Sequence, residues 1–126
     1  MVGKRRMGFT LIELLVALAI VSLIVAVAAP RYFGNIDRTR EDVLREDLYV
    51  LRSAIDHYYS DKNLYPNALA DLVNEKYLRK IPVDPFTQSA NSWIVVPPAD
   101  TSLTGVADVK SGAPNTARDG TWLKDW

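Results

Sequence analysis

The residue of this sequence whose type and position ask most insistently for chemistry is Glu13. It is the only charged residue in Phe9–Ala29, twenty-one residues that contain no Lys, Arg, Asp, His, Asn, Gln or Pro. A carboxylate at the middle of a membrane helix costs about 2.5–3.5 kcal/mol on insertion scales, and less near an end. Glu13 lies about one turn into such a helix, where it either reaches the headgroups as a tolerated polar residue or has a designated cationic partner. An ionisable residue inside a membrane segment is a functional hypothesis by default.

Elsewhere the sequence offers little to a catalyst. It has no cysteine and a single histidine, His57. That residue falls on a helical pattern beside Ile55, Tyr58 and Tyr59 and is expected to be structural or exposed. No phosphate loop, Ser-His-Asp set or zinc spacing is present. An enzyme is therefore not expected.

The element that must position Glu13 is the apolar run itself. Twenty-one residues at about 1.5 Å each reach roughly 30 Å, the thickness of a bilayer's hydrocarbon. Leu, Ile, Val and Ala fill it, as suits a helix that closes its own backbone hydrogen bonds. Before it stand Lys4, Arg5 and Arg6, which the positive-inside bias keeps in the cytoplasm. A removable secretory signal would share the basic start and the apolar run, with Ala26-Val27-Ala28 as its cleavage site. Against that reading, the run is longer than an ordinary signal core of about 7–15 residues. Glu13 would also burden a discarded peptide, and Pro30 would crowd the cut.

Gly8-Phe9-Thr10-Leu11-Ile12-Glu13, the basic leader, the apolar run and Pro30 together resemble the type IV prepilin and type II secretion pseudopilin family. The resemblance implies that residues 1–8 are a leader removed by a membrane peptidase between Gly8 and Phe9, and that Phe9 is then N-methylated. It also implies a role for Glu13. In a fibre of bundled helices a lone buried charge is costly and a paired one tolerable. The Glu13 carboxylate is expected to meet the Phe9 amine of a neighbouring copy and set the register between subunits.

Removing residues 1–8 and 9–29 from the 126 leaves 97, enough for one small domain, residues 30–126. Without the three leader cations the 15 basic residues fall to 12 against 15 acidic, a net −3. Nucleic-acid binding is not expected from that balance. The absence of cysteine excludes disulfides in a domain expected to face the periplasm. Many major type IV pilins are stapled by such a bond, so the absence points toward secretion pseudopilins.

Pro30 and Gly34 are expected to form a hinge in a helix that continues, kinked, past the proline. Leu44, Leu48, Leu51, Ile55 and Tyr58 recur at steps of four and three, one helical face, so Phe9 to about Ser60 reads as one long helix. Charges such as Asp37, Arg40, Glu41 and Arg45 fill the other faces, solvated or paired between subunits. Asn63–Asn67 is a turn. Ala68–Tyr77 is a short helix with Asn67 as its N-cap and Leu69, Leu72 and Val73 inward. Tyr77-Leu78-Arg79-Lys80-Ile81-Pro82-Val83-Asp84-Pro85-Phe86 resembles a segment of the major, G-like pseudopilins and is expected to be a rigid loop over the core. Trp93–Val96 and Val106–Val109 are strand candidates for a small antiparallel sheet, and Trp122 and Trp126 argue that the tail is packed down.

The fold class expected is thus α+β and pilin-like. The resemblance further implies a homo-oligomeric helical fibre, contacts with other pseudopilins, a prepilin peptidase/methylase and an inner-membrane assembly platform. G-like relatives also bind calcium through a loop of aspartates and carbonyls, for which Asp108, Asp119 and Asp125, with Ser111, are the candidates here. No other cofactor is expected. The type II secretion machine is favoured over a type IV pilus for adhesion, motility or DNA uptake.

Overall fold

A computed structural model describes Gly3 and residues 8–126. The leader expected over residues 1–8 therefore falls, but for its two glycines, outside the described residues. The element order is α1 (Leu11–Lys62), α2 (Leu69–Asn74), β1 (Ile94–Val96), β2 (Asp108–Lys110) and a 3-10 turn, η1 (Leu123–Asp125). The fold is α+β, a long helix with a small antiparallel sheet, as the sequence predicts.

The chain divides into two units between Ile36 and Asp37. In the first, every residue from Leu11 to Ala28 is exposed, although nearly all are apolar. Burial within the chain therefore does not explain that composition, and by length and apolarity the helix can cross a membrane. Pro30 and Gly34, the expected hinge, lie inside α1. Pro30 has no N–H to offer the carbonyl of Ala26, which loses its ordinary helical partner.

The second unit is built on the other half of α1. The predicted stripe of Leu44, Leu48, Leu51, Ile55 and Tyr58 is buried, with Ala54 added. Leu69 and Leu72 from α2, Trp93, Val106, Val109, Ala113, Ala117 and Leu123 complete one cluster. α1 ends where Asn63, at φ 56°, donates its N–H to the Tyr59 carbonyl over 2.8 Å. Asparagine is among the few residues other than glycine that take this left-handed position readily.

α2 is shorter than the expected Ala68–Tyr77, and its N-cap is Ala68, not Asn67. The cap is made from inside the helix: the Asp71 carboxylate accepts the N–H groups of Asn67 (2.9 Å) and Ala68 (3.3 Å). A carboxylate in the first turn thus ties down the backbone N–H groups that lead into the helix, and its charge suits the positive end of the helix.

β1 and β2 pair antiparallel, with Val95 opposite Val109. Both strands are offset from the expected spans, β2 by starting at Asp108 rather than Val106. Val106 instead donates its N–H to the Pro66 carbonyl (2.8 Å), which fastens the strand's approach to the turn after α1. Gly105 makes that approach possible. Its φ is 111°, and a Cβ there would lie 2.7 Å from the Pro66 carbonyl oxygen.

Candidate assembly and processing site

Gly8, Phe9 and Thr10 precede the helix without regular structure and are exposed, Phe9 to 90%. The Gly8–Phe9 junction is therefore uncovered and outside the helix. At Gly8 a Cβ would meet nothing within 4 Å, so nothing in the fold requires glycine there.

The helix begins with a reciprocal cap. Thr10 Oγ1 accepts the Glu13 N–H (3.2 Å), and Glu13 Oε2 accepts the Thr10 N–H (3.4 Å). The Leu14 N–H reaches the Thr10 carbonyl at 3.1 Å, the first bond of the helical ladder. Thr10-x-x-Glu13 is a capping box, in which two groups left over at a helix start satisfy each other. The helix dipole adds to this by favouring an anion in the first turn. On sequence alone Thr10 is given no role of its own, although the Thr-x-x-Glu spacing ahead of an apolar run is a readable signal. Glu13 therefore has a partner within its own chain, and its charge stands at the positive end of the helix.

In the second unit, the one fully buried carboxylate among the described residues is Asp84. Its Oδ1 accepts the Phe86 N–H (2.8 Å) and the Thr87 N–H (3.3 Å), and its Oδ2 accepts the Ser111 hydroxyl. Ser111 Oγ in turn accepts the Ala113 N–H at 3.1 Å. The Trp93 indole N–H donates to the Pro82 carbonyl over 2.8 Å. The Tyr77–Phe86 segment, expected as a rigid loop over the core, does lie against it, and the buried Asp84 side chain and the Trp93 bond to Pro82 hold it there. Val83 between the two prolines is exposed while Asp84 is buried. An aspartate before a proline reads as turn chemistry in a sequence, which is why its buried role was not visible there.

Asp47 on α1 is half-buried, and its carboxyl is held above the usual range, first by burial and then by the charges of Asp84 and Glu46. At the far end of the unit, Tyr77 donates its hydroxyl to Asp61 (2.7 Å), and its own pKa is pushed up to about 12, chiefly by that bond.

The three aspartates proposed for calcium are not brought together. The Asp108 carboxylate accepts Arg52 Nε at 2.8 Å. Asp119 Oδ1 accepts the Thr121 N–H (3.0 Å) and hydroxyl (2.6 Å), which hold its pKa down. Asp125 is exposed in η1. Among the described residues no three His, Cys, Asp or Glu side chains gather as a metal site would require. Ser111 is committed to Asp84. The three are near in sequence but serve different ends: Asp108 pairs with Arg52 across the domain, and Asp119 closes its own turn.

The region is instead organised by Arg52. Besides Asp108, its guanidinium donates to the carbonyls of Val109 (3.0 Å) and Trp126 (2.7 Å). Arg45 lies 4.4 Å from the centre of the Trp126 ring, a cation–π contact. In the tail Ala113, Ala117 and Leu123 are buried, while Trp122 remains half exposed. His57 is exposed, as expected.

An apolar, uncovered helix headed by a capped glutamate, continuous with the spine of a small α+β domain, defines a membrane-anchored subunit of the pilin kind. Residues 3–29 match the prokaryotic N-terminal methylation motif. The chain is 27% identical to the type II secretion system core protein G of Pseudomonas aeruginosa, over 94% of this chain and 96% of that protein. Its likeness to the protein of the same name in Vibrio cholerae is 26%, over 94% and 93%. The fimbrial protein EcpC of Eikenella corrodens is 33% identical, over 97% of this chain and 82% of that one. No solved structure matches. The chain belongs to the type IV pilin-like pseudopilin family.

Proposed function

We propose that the chain is a structural subunit of a periplasmic pseudopilus, which polymerises from the inner membrane to drive protein export by a type II secretion system. The observation that carries this reading is the head of α1. The methylation motif coincides with an exposed Gly8–Phe9 junction and with a helix that begins at Leu11 and leaves residues 11–28 uncovered by the described chain. Relatives named as core protein G of such systems, matched over most of both chains, support the choice of machine.

In this reading residues 1–8 are the leader, 9–29 the membrane and assembly helix, and 30–126 the periplasmic domain. A prepilin peptidase cuts after Gly8 and methylates the Phe9 amine. That amine is a cation, and the Glu13 carboxylate of a neighbouring copy neutralises it when helices leave the bilayer for the fibre. Other pseudopilins and an inner-membrane platform are its partners. The role is structural and calls for no catalysis.

The test is the intact mass and N-terminal sequence of the protein from native membranes. A chain beginning at Phe9, one methylene heavier than its residues account for, is expected. A start near Ala29 or Pro30 would mean a removable signal and would overturn the account of Glu13.

The relative named as a fimbrial protein favours a second reading, a type IV pilus subunit. Deleting the gene separates the two. Loss of exported proteins from the medium with surface fibres intact supports secretion, and the reverse outcome supports the pilus.

A further inference from the structure

Among the described residues up to Ile36 only Glu13 and Arg31 carry charge. Eighteen residues separate them, about 27 Å along a helix, close to the roughly 30 Å of a bilayer's hydrocarbon. Given the membrane placement proposed above, Glu13 stands at the cytoplasmic boundary and Arg31 at the periplasmic one. A cation on that side runs against the positive-inside bias, so its presence asks for a local cause.

Arg31 is exposed, and no hydrogen bond, ion pair or ring contact to another described residue occupies its guanidinium. Tyr32 and Phe33 follow it, each 65% exposed, their rings edge to face at 6.0 Å. Aromatic side chains at that depth sit at the headgroup level. Leu23, Ile24, Val27, Ala28, Arg31 and Tyr32 recur at helical spacing and line one open hollow on the helix surface. That hollow is apolar from Leu23 to Ala28 and then meets the planar cation of Arg31, with Asn35 one turn beyond. An acyl chain fits the first part. A phosphate fits the second, because a guanidinium binds phosphate through paired hydrogen bonds.

We propose that this face seats one anionic phospholipid of the periplasmic leaflet, its phosphate on Arg31 and one acyl chain along Leu23, Ile24, Val27 and Ala28. A second copy packed in parallel would offer a poorer partner. The one carboxylate of the same unit, Glu13, stands at the opposite boundary.

The test uses the full chain and its Arg31→Gln and Arg31→Lys variants in nanodiscs of phosphatidylcholine with a minor share of phosphatidylglycerol. Mild extraction and native mass spectrometry then count the lipids retained. The natural chain is expected to hold phosphatidylglycerol at about fivefold above its share of the bilayer, the gain of one basic residue near an anionic surface. Arg31→Lys should keep part of that enrichment and Arg31→Gln none. Retention at the bulk ratio by the natural chain, or equal enrichment by Arg31→Gln, would overturn the proposal. So would a lipid-free dimer as the main species, which assigns the face to a second copy. Flotation with pure phosphatidylcholine vesicles separates the levels of failure. A chain that does not float refutes the membrane placement and the lipid site together. One that floats without enrichment refutes the lipid site alone.

Discussion

Glu13 has two possible duties, and one substitution tells them apart. In the capping box it needs only a side-chain acceptor for the Thr10 N–H, and glutamine serves that position as well as glutamate. As the counter-ion of a neighbour's amine it needs charge. Glu13→Gln should therefore insert and keep its helix start yet lose most of its fibre yield, measured by shearing and sedimentation. Normal yield from that variant would reduce Glu13 to a cap. Asp84 raises a different question, because its three donors are left unanswered if it is truncated. Asp84→Ala should cost about 2–4 kcal/mol in denaturant unfolding of the full chain in micelles. Asp47 sets the pH dependence. An acid whose pKa is raised in the fold holds its proton more tightly there than in the unfolded chain. The penalty is thus present while Asp47 is ionised, and it is relieved as pH falls through its raised value toward that of an ordinary aspartate. Asp47→Asn should raise the melting temperature at neutral pH by about 1–3 °C, a modest figure because the group is partly solvated. The gain should disappear in acid; a gain that persists there would exclude ionisation as its cause.

Periodicity made α1 readable. The spacing of Leu44, Leu48, Leu51, Ile55 and Tyr58 admits one face only, and all five are buried. The helix start was legible to within two residues and its end likewise. Short elements were less so. α2 came out shorter than its pattern because the backbone turns at Lys76, φ 66°. β2 slid by two residues because Val106 bonds to Pro66 rather than to a strand. Such choices depend on partners far away in sequence, which local propensity does not register. The same reason hid Asp84, whose role rests on Ser111, and Arg52, whose ligands lie more than fifty residues on. The N-terminal methylation motif was legible because its residues are consecutive. At this scale Gly105 is the joint to test. Gly105→Ala meets both a left-handed φ and a carbonyl at 2.7 Å, and should destabilise the second unit by about 2–4 kcal/mol. Membrane insertion of the first unit should be unchanged, read by carbonate extraction.

One helix runs through both units, yet its apolar side chains are covered in only one of them. Residues 11–28 leave their apolar side chains uncovered, while the stripe from Leu44 to Tyr58 is covered by the chain itself. The cover over that stripe arrives late. Val106, Val109, Ala113, Ala117 and Leu123 all follow the helix by more than forty residues, and Arg52 closes on Val109 and Trp126 only when both exist. In the orientation proposed above, the stripe waits only partly covered on the far side of the membrane until nearly the whole domain has crossed. At roughly 5–20 residues per second of synthesis, that interval is several seconds. In that orientation the polypeptide is anchored before it is folded, and a helper that shields apolar helices in transit has its longest opportunity between the emergence of Leu44 and that of Leu123.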